Sequence, residues 1–267
     1  MEFVVVSNQP PVTKISMNRP SLHNAFNDQM IAELTSAFKA AAADDRCRVV
    51  ILQSEGKHFS AGADLNWMRS MATLTREQNR EDAMRLADLM HTVYSLPKIV
   101  VAKVKGASYG GALGLISACD IAFADSTATF CLSEVKIGLA PAVISPYVIQ
   151  AMGLRNARRY MLSAEVFDAH AAQSVGVVHD VCAPTVLDEM VMNFADKVSQ
   201  NGPNAVRHCK QLIQSIAYEA IGDRTNILTT DVIAELRVSE EGQEGLSAFL
   251  HKRSPAWRVD ENDSEVQ

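Results

Sequence analysis

No two cysteines in this chain are spaced as CxxC, and their number is odd: Cys47, Cys119, Cys131, Cys182 and Cys209. That excludes a disulfide framework or a zinc site as the organising element and reads as free thiols in a reducing compartment. The chain also lacks a Lys/Arg cluster. With a net charge of -6 and a pI near 5.7, it does not offer the basic face of an electrostatic nucleic-acid binder, and no nucleic-acid partner is expected. Long apolar runs are missing too. The longest uncharged run, Ile137 to Leu154, holds Pro141, Pro146, Gln150 and two glycines, so it reads as a buried or ligand-lining segment, and no membrane span is expected. The first residues, Met1-Glu2-Phe3-Val4-Val5-Val6, have no basic n-region and read as a strand. The expectation is neither signal nor transit peptide, and a cytoplasmic location. Asn262-Asp263-Ser264 matches a glycosylation acceptor, but without a secretory signal the match is chance. The seven histidines show no HExxH or other paired-ligand spacing, so no metal is expected.

What is present is ordinary for a globular chain: 267 residues, 48% apolar and 21% charged. That length suffices for a sizeable core in one large domain or two smaller ones. Val4 to Val6 and Val12 to Met17 predict two strands joined at Pro10-Pro11. Asn27 or Asp28 caps a helix to about Ala43, with Met30, Ile31, Leu34 and Phe38 at helical spacing. Val49 to Leu52, Ile99 to Val104 and Asp120 to Ala124 are apolar runs of strand length, and Thr75 to Ser95 is a long amphipathic helix ended by Pro97. Strands that are apolar along their length and alternate with helices predict an α/β fold with buried parallel strands. From Pro184 onward only helical patterns remain: Val186 to Val198, Asn204 to Ala217, Arg224 to Leu236 and Glu240 to His251. The expected division is 1–198 for the core and 199–267 for a helical region. A helical region this small cannot bury all its apolar stripes alone, and is expected to dock on the core or on another subunit. Glu261 to Gln267 is polar and expected to fray.

Three segments could carry chemistry. Ser60-Ala61-Gly62-Ala63-Asp64-Leu65 combines small residues with a helix start, which suits close backbone approach to negative charge. It reads equally as a tight loop capped by Asp64. Gly106 to Gly114 is glycine-rich directly after a strand and contains Gly106-x-Ser108-x-Gly110, the nucleophile-elbow pattern. On that reading Ser108 is a nucleophile, with Asp168 and His179 in the chain order of a hydrolase triad, although no oxyanion loop of the HGGG type precedes it. In the third segment, Phe130 to Pro141, Glu134 sits among apolar residues. Burial there would raise its carboxyl pKa towards the range useful for proton transfer; a surface glutamate paired with Lys136 is the plainer alternative.

In this order and spacing the segments resemble the crotonase (enoyl-CoA hydratase/isomerase) family over essentially the whole chain. The resemblance runs from Met17-Asn18-Arg19-Pro20 and Asn24-Ala25-Phe26, through His58 to Leu65, Gly110 to Gly114 and Cys119-Asp120, to Phe249 to Trp257. The stretches His58 to Met68, Phe130 to Pro146 and Glu241 to Trp257 most resemble bacterial 3-methylglutaconyl-CoA hydratases of leucine degradation. The resemblance implies a crotonase-type spiral of ββα units followed by a helical oligomerisation region, and a homotrimer or dimer of trimers. It implies an acyl-CoA thioester as substrate, with no cofactor beyond that CoA, and hydration of a 2-enoyl-CoA, with 3-methylglutaconyl-CoA to 3-hydroxy-3-methylglutaryl-CoA the specific expectation. Isomerisation or decarboxylation on the same scaffold, the Ser108 hydrolase and a non-catalytic RNA- or partner-binding protein are the alternatives.

By the same resemblance, the backbone N–H groups of Ala63 and Gly111 form the oxyanion hole. Ala61, Asp64 and Leu65 lie where the family holds CoA. Arg19, His23 and Ala25 fall near the CoA opening, and Lys252 and Trp257 in a tail that touches CoA. Of the two glutamates usual in the hydratases, the second maps to Glu134, while the position of the first is Gly114. This departure leaves one carboxylate to relay a proton, and Gly114 is expected to make room for a branched or carboxylated acyl group. A distal carboxylate would want a cation, for which Arg69, Lys136 and Arg155 are candidates. Trp67, Met68 and Met71 are candidates for lining the acyl pocket or for plain core packing.

Overall fold

The fold is that of a computed structural model describing residues 1–258; the stretch 261–267 and the Asn262-Asp263-Ser264 pattern lie outside the described residues. Strands β1 (Val4–Gln9) and β2 (Val12–Met17) meet at the cis Pro10-Pro11 bond and pair antiparallel, Val4 opposite Met17, as so short a connection requires. Helix α1 (Asp28–Ala43) then returns the chain, and β3 (Val49–Ser54) pairs parallel with β2. Helices α2 (Leu65–Met71) and α3 (Arg76–Tyr94) precede β4 (Ile99–Val104), again parallel. Strand β5 (Ala107–Tyr109) and helix α4 (Gly111–Ala118) lead to β6 (Ile121–Asp125), which pairs parallel with β4. With β9 (Asp180–Cys182) the first sheet has the order β1-β2-β3-β4-β6-β9. A second sheet of β5, β7 (Thr129–Cys131) and β8 (Phe167–Asp168), in that order, is parallel at β5–β7 and antiparallel at β7–β8. The α/β class expected from the sequence is what the chain adopts.

The patterning that predicted these elements is the patterning that packs. Asn27 caps α1 by accepting the Met30 N–H at 2.9 Å, and Met30, Ile31, Leu34 and Phe38 are all buried. Val49 to Leu52 are buried on both faces, as a strand flanked by parallel neighbours must be. Thr75 closes a capping box with Gln78 at the start of α3, whose Leu89, Met90 and Val93 enter the core. Met84, in the same helix, is exposed.

Helices α5 (Ser145–Ser163) and α6 (Ala169–Ser174) were not apparent in the sequence. The uncharged run Ile137–Leu154 is not buried throughout: Ile137, Leu139 and Leu154 are exposed. Ile144, Val148 and Met152, one helical turn apart, face the core, Tyr147 packs against it, and Pro141 is buried as well.

The chain divides into two compact units, Met1–Ala195 and Asp196–Gln267, with the division inside α7 (Leu187–Ser199). The second unit contains α8 (Pro203–Ile216), α9 (Asp223–Val238) and α10 (Glu240–Leu250). Glu241 accepts from the Asn204 and Ala205 N–H groups at 2.9 and 2.7 Å, satisfying donors that the first turn of α8 leaves free. Arg253 grips Glu244 with two hydrogen bonds of 2.6 and 2.7 Å, and with the Ala256 N–H it pulls the Glu244 carboxyl down to about 2. Among the described residues no helix is long and apolar enough to cross a membrane.

Candidate active site

The loop after β3 is tied down before it reaches Ala63. Buried Asn24 donates to the Glu55 and His58 carbonyls at 2.8 and 2.9 Å and accepts from the Arg19 N–H at 2.8 Å. Phe26 exchanges main-chain bonds with this loop, donating to the Gly62 carbonyl and accepting from the Asp64 N–H, both at 2.8 Å. Asp64 caps α2 by accepting from the Asn66 and Trp67 N–H groups and receives Arg19 at 2.9 Å. Burial pushes the Asp64 carboxyl up, but Arg19 and the two N–H donors outweigh it and hold it below the usual carboxylate range. Arg19 also donates to the Ala25 carbonyl at 2.7 Å and stacks over the Phe3 ring. Arg19 and Asp64, expected at the CoA site, thus spend their side chains on holding the loop that presents Ala63. Between the bonded groups of Gly62 and Asp64, the Ala63 N–H donates to no protein acceptor among the described residues.

The second sheet supplies the rest. β5 runs beside β7, Tyr109 opposite Cys131, and Gly110 donates to the Cys131 carbonyl at 2.9 Å. Gly110 has φ 55° and ψ −124°, a conformation open essentially to glycine alone. It turns the chain into α4, leaving the Gly111 N–H at the helix start without a protein acceptor among the described residues. Three residues beyond β7, Glu134 opens a short 3₁₀ turn, Glu134–Ile137. Its Oε1 lies 3.1 Å from where a Cβ on Gly110 would stand. Its Oε2 is buried with no hydrogen-bond partner among the described residues, and burial raises the Glu134 pKa. The Phe26 ring lies 3.6 Å from the Cβ position of Gly111, while its main chain pairs with the Ala63 loop. Phe26 therefore joins the two loops with unpaired N–H groups. Sequence reasoning assigned it no role, because an apolar residue beside a motif looks like any core residue.

Gly114 does not open the pocket. A Cβ there would overlap Cγ2 and Cβ of Ile144, which is buried, so hydrocarbon fills the space expected for an acyl branch. The Ser108 triad is also not assembled. Ser108 is fully buried, its hydroxyl without a partner among the described residues, Asp168 caps α6, and His179 Nδ1 accepts from the Ala122 N–H at 3.1 Å. The remaining expected residues are accessible to different degrees. Ala61, in the loop before α2, and Leu65, its first residue, are exposed, Ala25 and Trp67 are half-buried, and exposed Arg69 holds Asn66 at 3.0 Å. Lys136 and Arg155 are exposed. Lys252 is exposed in the second unit, with φ 55° after α10. Among the described residues no group of three or more His, Cys, Asp or Glu could hold a metal ion.

Two N–H groups without a protein acceptor among the described residues, one at a helix N-terminus, suit an oxygen that gains negative charge, and the buried Glu134 carboxylate beside Gly110 suits a proton in transit. Comparison with known proteins agrees. The family described as enoyl-CoA hydratase/isomerase matches residues 7–260. A crystal structure of an enoyl-CoA hydratase from Shewanella pealeana superposes with a TM-score of 0.93 at 46% identity, covering 96% of each chain. The 2,3-dehydroadipyl-CoA hydratase of Escherichia coli is 31% identical over 97% of this chain and 99% of its own. A trans-2-decenoyl-[acyl-carrier-protein] isomerase of Streptococcus mutans is 26% identical over 92% and 94%.

Proposed function

The chain belongs to the enoyl-CoA hydratase/isomerase family, and on that premise we propose that it hydrates a 2-enoyl-CoA through Ala63, Gly111 and Glu134. It is an enzyme of the enoyl-CoA hydratase type acting on acyl-CoA thioesters. The thioester carbonyl accepts from the Ala63 and Gly111 N–H groups, which stabilise it as it becomes an enolate oxyanion. Preorganised donors of this kind are each worth about 2.7–4 kcal/mol, and the α4 N-terminus adds its dipole. Ionised Glu134 takes a proton from water as the oxygen attacks Cβ. The same carboxyl then returns a proton to Cα, so both groups add to one face. The observation that carries this reading is the buried Glu134 carboxylate, with Oε1 beside Gly110 and Oε2 without a hydrogen-bond partner among the described residues.

The specific substrate we propose is 3-methylglutaconyl-CoA, supported by the resemblance of His58 to Met68, Phe130 to Pro146 and Glu241 to Trp257. The name of the Escherichia coli relative likewise specifies an acyl chain ending in a carboxylate. Lys136, in the 3₁₀ turn of Glu134, and Arg69 are the cations proposed to meet it. Ala61, Asp64, Leu65 and Ala25, through their main chain, are proposed to hold CoA. The exposed Tyr218, Ile221, Phe249 and Leu250 of the helical unit support assembly as a homotrimer or dimer of trimers.

Isomerisation is the second reading, favoured by Ile144 filling the space at Gly114. With one carboxylate, Glu134 would move a proton between carbons without adding water. Mass spectrometry of products in H₂¹⁸O, with 3-methylglutaconyl-CoA and crotonyl-CoA in parallel, separates the two. Uptake of label, mainly by the branched substrate, supports the hydratase and its substrate. A shifted double bond without label, or equal uptake by both, sinks the first reading or its substrate respectively.

A further inference from the structure

The two donor-bearing loops are joined, upstream of their donors, by a short ladder. Phe59 donates to the Lys105 carbonyl at 2.8 Å, Ser60 to the Ala107 carbonyl at 3.1 Å, and Tyr109 to the Ser60 carbonyl at 3.0 Å. The next rung, from the Ala107 N–H, would go to the His58 carbonyl in a regular parallel pairing. That carbonyl is already taken by Asn24 and Ser54, at 2.9 and 3.0 Å. The Ala107 N–H donates instead to the His58 ring, at 3.0 Å from Nδ1. Gly106, at φ 58°, permits this approach, because a Cβ there would stand 2.8 Å from Nδ1.

We infer that His58 is a positioning residue: its neutral ring replaces its own carbonyl in the ladder that fixes the spacing of the Ala63 and Gly111 N–H groups. The inference rests on the reading of those groups as the oxyanion donors. Only the neutral ring can accept at Nδ1, with the proton on Nε2. Protonation sets two donors against each other and breaks the rung. The groups facing the ring are His23, edge-on with centroids 5.0 Å apart, and Lys57. Burial, then these two neighbours, lower the His58 pKa and keep the ring neutral at physiological pH. The rung is therefore intact near neutrality and lost as pH falls through that lowered value.

The test pairs kinetics with amide exchange on the full-length protein. His58→Leu removes the acceptor; His58→Asn offers Oδ1 near the position of Nδ1 and does not titrate. With crotonyl-CoA, His58→Leu is expected to lower kcat by roughly 10- to 100-fold, the scale of a small misplacement of reacting groups, with KM changed far less. His58→Asn is expected to restore most of kcat, while the acid limb set by ionisation of Glu134 stays. Exchange at the Ala107 amide, corrected for intrinsic rates, should lose protection in His58→Leu, and in the wild type as pH falls, but not in His58→Asn. Wild-type kcat and Ala107 protection in folded His58→Leu overturn the inference, as does Ala107 protection that falls with pH in His58→Asn as it does in the wild type. If the wild type turns over no enoyl-CoA, the proposed function fails and the exchange measurements still decide the role of His58.

Discussion

Gly110 and Gly114 are one helical turn apart in the same glycine-rich stretch, yet they do opposite things. Gly110 takes a backbone conformation that a side chain would strain, and the space beside it holds the Glu134 carboxylate. Gly114 is an ordinary helical residue whose missing side chain is replaced by Ile144. One glycine admits charge and the other admits hydrocarbon. The difference teaches that an absent side chain is not an open pocket; what fills the space decides whether it serves chemistry or packing.

The comparison breaks most severely at Glu134. Glu134→Gln removes the proton carrier and keeps the shape, and is expected to lower kcat by about 10²- to 10⁴-fold in a folded protein, checked by steady-state hydration of crotonyl-CoA. Near-full turnover would remove Glu134 from the mechanism. Gly110→Ala strains the turn and presses on the Glu134 carboxylate. Its expected cost is about 100-fold in kcat, and unaltered kinetics would show that the turn does not set the carboxylate. Gly114→Ala is expected to cost about 1–3 kcal/mol in stability, as overpacking does, read by denaturant unfolding. Adding Ile144→Ala should recover part of that loss, whereas additive effects would deny the contact. Asp64→Ala removes a cap and leaves Arg19 without its partner; its expected cost is about 2 kcal/mol, the upper end for a cap alone.

The smallest effect sharpens the polar side of the comparison. Burial raises the Glu134 pKa in the fold, so its ionised form opposes folding. The folded state is favoured below the unfolded pKa, and that advantage is lost as pH rises through the raised folded value. Glu134→Gln carries no charge and should melt higher than the wild type at pH 8. The gap should close as pH falls towards 4. Melting curves that stay parallel across this range would mean that Glu134 is not held in an unfavourable environment.

Most of the fold was legible because apolar period and turn residues act locally. Asn27 as a cap, the β-strand at Val49 to Leu52 and the four C-terminal helices follow from such signals. The short strands β7 and β8 were not legible, because two or three residues carry no period and are held by their neighbours in the sheet. At the candidate site, Glu134 and the Gly110-Gly111 turn stood out by residue type. The Arg19–Asp64 pair joins residues far apart in the chain, and spacing gives no sign of it. Ile144 at Gly114 was invisible for the same reason, which is why the glycine read as space. His58 was quoted within a motif, but its role depends on where its carbonyl turns, and that is fixed by Asn24 and Ser54.

The central claim is that Glu134 moves a proton at Cα while Ala63 and Gly111 hold the enolate oxygen. Its most direct test is exchange of the α-hydrogens of a saturated thioester, butyryl-CoA, in D₂O, followed by mass spectrometry. No water adds to this substrate, so the result reports proton transfer at Cα alone. The account predicts enzyme-dependent α-deuteration by the wild type and its loss in folded Glu134→Gln. Deuteration that persists in Glu134→Gln at the wild-type rate would contradict it.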